Sequence, residues 1–171
     1  MNVYWVECTT RESNTPVMTL IKEQMKKNPP SQQKNPTINL FNRQRKVKLE
    51  TALLKEFLKK LSARLLLEKS FSVVVVSDSR MRDLNRNFAR KDYPTDVLSF
   101  PCADEPGMDE GYLGDIVISV ERAASQAVKG LDNELRILAL HGLLHLMGYD
   151  HDKDRGRMKR LENQLRRDLD L

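Results

Sequence analysis

The sequence is poor in cysteine and lacks long apolar runs, and each shortage excludes a class of protein. Two cysteines among 171 residues, Cys8 and Cys102, are too few for a disulfide framework. Apolar runs such as 73–76 are strand-sized, whereas a membrane-spanning helix needs roughly 20 residues. The N-terminal residues also lack the basic and apolar segments of a secretory signal. We therefore expect no membrane association and a reducing, cytoplasmic location.

The composition that remains is typical of one soluble domain. Hydrophobic residues make up 40% and charged residues 31% of the chain. The net charge of +5 comes entirely from residues 1–50, which hold nine Lys/Arg against four Glu, because residues 51–171 hold twenty of each sign. Residues 1–36 include MKKNPPSQQKNP, a stretch of Pro, Asn, Gln and Lys without apolar periodicity, which predicts a flexible basic extension before a folded domain at 37–171. Such an arm can contact phosphates or simply aid solubility.

Alternating and helical apolar patterns predict the elements of this domain. A helix is expected over 49–65, another after the capping pair Ser77-Asp78 to about residue 88, and a third over 121–129. Asp132 and Asp154 are expected to open two more helices. The expected strands are 37–41, 71–76, 96–100 and 114–120, with a loop over 101–113. Together they predict an α+β fold in which a small mixed four-stranded sheet packs with about five helices.

The histidines are the strongest chemical signal, since all three lie within the eleven residues HGLLHLMGYDH. On a helix, His141 and His145 share one face a turn apart, so both rings can reach one ion, as zinc ligands at about 2.0–2.1 Å require. Gly148 can adopt the left-handed conformation that turns the chain back toward His151. The spacing predicts one metal ion at a helix end, held by His141, His145 and His151, with a fourth position open to water.

Two alternatives bear on this metal site. A purely structural metal would usually have a fourth Cys or His nearby, and neither cysteine is local, which favours an open catalytic site. Metzincin peptidases share the spacing but place a glutamate directly after the first histidine, as their general base. Here that residue is Gly142, which disfavours a metallopeptidase.

Three motifs in order resemble the YbeY family of metal-dependent rRNA maturation factors, which are regarded as endoribonucleases. The motifs are the histidine segment, PTDVLSFP (94–101) and LGDIVIS (113–119), and the resemblance covers residues 37 to the C-terminus. It implies a compact α+β domain with one Zn²⁺ on His141, His145 and His151. It also implies single-strand-specific cleavage in 16S rRNA 3′-end maturation and ribosome quality control. The implied partners are rRNA, the small ribosomal subunit and assembly factors, with no DNA expected.

The resemblance also directs attention to an arginine. The family usually places it directly after the aromatic residue of an LN..yR segment, where this chain has Ala89, and Arg90 follows one residue later. A one-residue offset on a helix rotates a side chain by about 100°, and Arg86 is a second candidate. A guanidinium can donate two hydrogen bonds to a phosphate and stabilise charge during cleavage. Arg90 and His141 are therefore the candidate catalytic residues.

Other polar residues have two interpretations. Asp96, Ser99 and Asp115 could line the cleft or orient a histidine, or could form hydrogen bonds at strand ends. Asp150 is adjacent to His151 and could act as a base. The basic C-terminal helix is interpreted as a solvated face rather than an RNA groove. A rival function is a ribosome-assembly RNA-binding factor whose metal braces the fold.

Overall fold

The structure, a computed structural model, describes residues 4–5, 36–102, 111–151 and 153–171. Most of the expected N-terminal extension lies outside these ranges, as do residues 103–110 of the expected loop. Among the described helices, none is both long enough and apolar enough to cross a membrane.

A mixed sheet of five strands lies at the centre of the described residues. Its order is β1-β4-β5-β3-β2, and neighbouring strands are parallel except for the antiparallel pair β4 and β5. The strands β2 to β5 confirm the four expected strands to within two residues, and the two-residue β1 lies at the edge beside β4. The strands are β1 Tyr4–Trp5, β2 Ile38–Asn42, β3 Ser70–Val76, β4 Val97–Pro101 and β5 Tyr112–Ser119.

Strand β3 is buried on both faces, since a core cluster packs against each of them. It pairs with β2 on one side and with β5 on the other. Val73 and Val75 pack in the larger core cluster, whereas Val74 and Val76 pack in a smaller cluster on the opposite face. A continuous run of valines is what a parallel strand buried on two sides requires.

The two faces of the sheet are covered unequally by the five helices of the described residues. These are α1 Thr51–Arg64, α2 Asp78–Ala89, α3 Val120–Gln126, α4 Leu131–Leu146 and α5 Arg157–Asp168. Helix α2 packs on the smaller core cluster through Met81 and Leu84, whereas the other four helices contribute to the larger cluster. This arrangement confirms the expected α+β class.

Helix α4 is the central helix of the larger layer and packs directly on the sheet. Twelve of its sixteen residues are buried. The Ser99 hydroxyl of β4 donates a hydrogen bond to the Gly142 carbonyl at 3.1 Å. A Cβ at Gly142 would lie 2.6 Å from Cγ2 of Ile116 and 3.2 Å from Oγ of Ser99, so only glycine allows this close approach. The packing fixes the position of α4 relative to β4 and β5.

The helix boundaries differ from the expected ones where glycine replaces an acidic cap. The N-cap of α4 is Gly130, with a φ of 98°, and Asp132 instead forms an ion pair with Arg136 one turn on. The Asp154 carboxylate does accept a hydrogen bond from the Met158 N–H at 2.7 Å, although the N-cap of α5 is Gly156. Asp154 therefore caps the first turn from outside the helix.

Candidate metal centre

The first two histidines are brought together by helix geometry alone. His141 and His145 are four residues apart on α4, so their side chains lie on one face, a turn apart. Their Nε2 atoms are 3.2 Å apart. Both rings are buried, with His141 5% and His145 1% exposed, because α4 lies within the larger core layer.

The third histidine is delivered by the turn that ends α4. Gly148 has a φ of 86°, in the left-handed region. Its N–H donates to the His145 carbonyl, and the Tyr149 N–H donates to the Leu144 carbonyl, which is the hydrogen-bond pattern of a Schellman motif. The reversed chain places the ring of His151 5.9 Å from that of His141 and 5.4 Å from that of His145, centroid to centroid.

The three rings could hold one metal ion. One nitrogen from each histidine lies within 4.8 Å of the other two. Four tetrahedral ligands at 2.0–2.1 Å from zinc lie about 3.4 Å from one another, and the 3.2 Å between the Nε2 atoms of His141 and His145 fits that spacing. His151 is exposed, so the centre opens toward solvent on its side. The donor set is therefore three imidazoles with one accessible side.

The environment keeps His145 in the form that binds metals. Burial, together with the neighbouring charges of His141 and His151, lowers the pKa of His145 to about 4. The ring is therefore neutral at neutral pH, and a nitrogen lone pair is available for coordination.

Glu162 on α5 contacts the Nδ1 edge of the His141 ring, away from the Nε2 atom that faces His145. Its Oε2 lies 3.1 Å from Nδ1 of His141, and its Oε1 accepts hydrogen bonds from Nε and Nη2 of Arg166 at 3.1 and 2.5 Å. Burial raises the pKa of Glu162, but the hydrogen bonds and charges of His141 and Arg166 outweigh it and hold that pKa below its ordinary value. A carboxylate here favours the proton on Nδ1 of His141, which leaves the Nε2 lone pair facing the other two rings.

Sequence reasoning missed Glu162, although the helix pattern carries a signal for it. The buried face of α5 consists of Met158, Glu162 and Leu165. An acidic residue in the apolar stripe of an amphipathic helix is expensive to bury without a partner. A glutamate at position 162 therefore predicts a buried polar partner, and the three histidines are the candidates for that partner.

The polar strand residues singled out in the sequence do not reach the histidines through any hydrogen bond in the described residues. Asp96 accepts from the Val97 N–H at 2.9 Å, and Ser99 bonds to Gly142 at the contact described above. Asp115 accepts from the Tyr112 hydroxyl at 2.6 Å. Burial raises the pKa of Asp115 to about 6. Asp115 bonds within the sheet, whereas Ser99 joins β4 to α4 and Asp96 also accepts from Gln126 of α3 at 3.3 Å.

The two candidate arginines have different surroundings. Arg86 forms ion pairs with Asp83 at 3.0 Å and Asp92 at 3.6 Å. Arg90 follows α2 as its C-cap in the left-handed conformation, with a φ of 57°, and is exposed. Within the described residues no carboxylate pairs with the Arg90 guanidinium and no hydrogen bond joins it to a histidine. Among the described residues, the Arg90 donors are therefore free for an anion, whereas those of Arg86 are engaged.

The structure gives a steric reason why a metzincin mechanism does not apply. Gly142, the residue after the first histidine, faces Ile116 and Ser99 rather than the three rings. A glutamate side chain there would have no room, because even its Cβ would overlap Ile116. Asp150, the remaining local carboxylate considered as a base, forms an ion pair with Lys153 at 3.3 Å.

Comparisons with known proteins identify the family. A sequence model described as Endoribonuclease YbeY matches residues 32–170. Proteins named Endoribonuclease YbeY from Nautilia profundicola, Koribacter versatilis and Solibacter usitatus are 44%, 50% and 48% identical over 63%, 58% and 59% of this chain. Those alignments span 77%, 64% and 67% of the relatives' own lengths.

A solved structure agrees with this assignment. The solution structure of a Thermotoga maritima protein superposes with a TM-score of 0.51 at 29% identity, over 75% of this chain and 85% of that one. The family match extends over most of the described domain and includes all three histidines. The chain belongs to the YbeY family.

Proposed function

We propose that this protein is a zinc-dependent endoribonuclease that cleaves single-stranded RNA in 16S rRNA 3′-end maturation and ribosome quality control. The observation that carries the proposal is the convergence of His141, His145 and His151 with one side open to solvent. The relatives named as endoribonucleases support the reaction class. The partners are rRNA, the small ribosomal subunit and assembly factors, in the cytoplasm and without DNA.

The donor set supports zinc as the resident ion. Three neutral imidazoles suit zinc, whereas magnesium and calcium prefer oxygen ligands. When bound, zinc would supply a Lewis acid that polarises a phosphate oxygen or activates a water molecule. Glu162 would hold the His141 ring in orientation, and His151 would form the solvent-facing wall of the centre.

Arg90 is the proposed phosphate-binding residue. Its exposed, unpaired guanidinium can donate two hydrogen bonds to phosphate oxygens and stabilise the charge that develops on them during cleavage. His141 is the proposed catalytic member of the histidine set, because its Nδ1 is tied to the Glu162 carboxylate, which sets its tautomer. Water or the RNA 2′-hydroxyl can act as the nucleophile in this arrangement.

The proposal is tested by replacing His141 and His145 together with Ala. Metal content by elemental analysis and cleavage of a single-stranded precursor 16S rRNA fragment are measured, with circular dichroism to verify folding. Glu56→Ala, an exposed change on α1, is the control. We expect the double variant to lose both zinc and cleavage while the control keeps both. A folded double variant that still cleaves without metal contradicts the proposal.

A second candidate is an assembly factor whose metal braces the fold. It is favoured by the burial of His141 and His145 within the core layer. Chelation distinguishes the two functions, since a metal that braces the fold contributes folding energy and its removal unfolds the domain. A chelated protein that stays folded but no longer cleaves RNA supports the enzyme.

A further inference from the structure

Over residues 157–167, α5 exposes cations and amides but no carboxylate, and the function proposed above does not use this surface. Asp168, the last residue of α5, is exposed and pairs with Arg64. The exposed residues between 157 and 167 are four cations and two amides. The amides are Asn163 and Gln164. The cations are Arg157, Lys159, Arg160 and Arg167, which we call the basic face of α5.

The tertiary structure leaves only positive charge exposed over residues 157–167, because it turns Glu162 inward. Glu162 is the one carboxylate between 157 and 167, and it is 8% exposed. It is engaged by His141 and Arg166. The sequence predicts a basic helix that also contains this carboxylate, whereas the folded helix presents no carboxylate outward over residues 157–167. From the sequence this helix is interpreted as a solvated face, and its exposed residues over 157–167 carry positive charge only.

The cations of the basic face lack the partners that other surface arginines have. Arg64 pairs with Asp168 and Arg82 pairs with Asp92, both at 2.7 Å. Among the described residues, no carboxylate lies within ion-pair distance of any member of the basic face. Three of its members also lie in the first turn of α5, which contains no acidic residue. The helix dipole makes that end unfavourable for cations, and the hydrogen bond from Arg160 Nη1 to the Arg155 carbonyl, at 3.3 Å, neutralises no charge.

The face lies beside the histidine centre. Glu162 on the inner side of α5 touches His141, so the outer side is about one helix diameter, 10–12 Å, from that ring. Arg157 and Arg167 are ten residues apart, or about 15 Å along the axis, a length that spans several phosphates at about 3.4 Å per phosphate in a stacked strand. The distance from His141 suits RNA flanking the cleaved bond rather than the bond itself.

We propose that the basic face of α5 binds the phosphate backbone of the single-stranded RNA substrate next to the cleaved position. This inference rests on the proposed endoribonuclease function and adds a substrate-binding surface to it. Guanidinium and ammonium groups that have no carboxylate partner among the described residues match the regular negative charge of an RNA strand. Because the face does not touch the reacting bond, it contributes to substrate affinity and not to the chemical step.

The test compares two double variants with equal loss of charge. Arg157→Gln with Arg160→Gln removes two cations of the basic face. Lys55→Gln with Lys59→Gln removes two exposed cations of α1 and is the control. Binding of the full-length, zinc-loaded protein to a fluorescein-labelled single-stranded oligoribonucleotide is measured by anisotropy over a range of salt concentrations. A gel verifies that the RNA remains intact.

We expect the basic-face variant to bind about five- to tenfold more weakly at low salt, with the slope of log K against log salt reduced by about 1.4. Cleavage by this variant should show a raised KM with an unchanged kcat, and its zinc content should equal that of the wild type. The control should keep wild-type affinity and slope.

Two outcomes overturn the inference while leaving the proposed function intact. Unchanged affinity, slope and KM in the basic-face variant would exclude RNA as the occupant and leave an acidic protein surface as its partner. An equal loss in both double variants would show that only overall charge matters. If the wild type bound RNA without cleaving it, the proposed function would fail, and the binding comparison would still decide this inference.

Discussion

The Nδ1 atom of His141 lies 3.1 Å from Oε2 of Glu162, a residue 21 positions further along the chain. The contact joins the end of α4 to the buried face of α5 and ties the orientation of one imidazole to a carboxylate that Arg166 also holds. The histidine centre therefore depends on the docking of the C-terminal helix, and its geometry is set by two helices.

Loss of this carboxylate should weaken metal binding. We expect Glu162→Ala to lower zinc affinity by about 10- to 100-fold, as is typical of residues that orient a histidine ligand. Glu162→Gln should lose less, because its amide oxygen can still accept from Nδ1 of His141. Affinity is measured by competition with a chromophoric chelator, with Glu56→Gln on α1 as the control. Equal affinity of Glu162→Ala and the wild type would contradict the orienting role.

A methyl group at residue 142 should destabilise the domain. The Cβ of Gly142→Ala would lie 2.6 Å from Cγ2 of Ile116. Overpacking costs about 1–3 kcal/mol, while replacing a helical glycine regains about 1 kcal/mol, so we expect a net loss of up to about 2 kcal/mol in the free energy of unfolding. Urea unfolding measures it.

The same contact predicts coupling between two positions. Ile116→Ala opens space on β5, so Gly142→Ala should cost less in that background than in the wild type. Additive effects of the two substitutions would show that the predicted contact does not limit the packing of α4.

The buried Asp115 should make stability fall as pH rises. Its pKa is raised by burial from 3.8 to about 6, so the folded protein keeps a proton that the unfolded chain releases near pH 4. Stability from this group is present below about pH 4 and is lost by about pH 6. Asp115→Asn stays neutral and can still accept from the Tyr112 hydroxyl.

We therefore expect Asp115→Asn to gain stability relative to the wild type between pH 4 and pH 7, by up to about 3 kcal/mol. Urea unfolding of both proteins at the two pH values gives the difference, and Asp83→Asn on the surface of α2 is the control. A gain that is the same at both pH values would mean that Asp115 is not the titrating group.

Substitutions of Arg90 and Arg86 should differ in their effect on kcat, because only Arg90 is proposed to bind the phosphate. We expect Arg90→Ala to lower kcat by about 10²- to 10³-fold, as is typical when a donor to a developing negative charge is lost. Arg86→Ala should change stability by less than about 1 kcal/mol, since exposed ion pairs contribute little, and should leave kcat unchanged. Single-turnover cleavage with matched zinc content makes the comparison. Similar kcat values for both variants would remove Arg90 from the catalytic set.

Local patterns were enough to predict the elements. The valine run of β3, the N-cap Ser77 of α2 and the four strands β2 to β5 follow from periodicity and capping rules that act over a few residues. The strand order and the position of α4 do not follow from these rules. They depend on contacts such as that of Gly142 with Ile116, which join segments far apart in the chain.

The sequence by itself determined the convergence of the three histidines, because the helical spacing of His141 and His145 and the left-handed turn at Gly148 are properties of one short segment. Only the tertiary structure decided which carboxylate orients His141, that Gly142 faces the sheet, and that α5 buries Glu162 while the basic face stays exposed. The physical reason is the distance along the chain over which each property is set. Backbone geometry depends on a few neighbouring residues, whereas the burial and pairing of a charge depend on which side chains another segment places beside it.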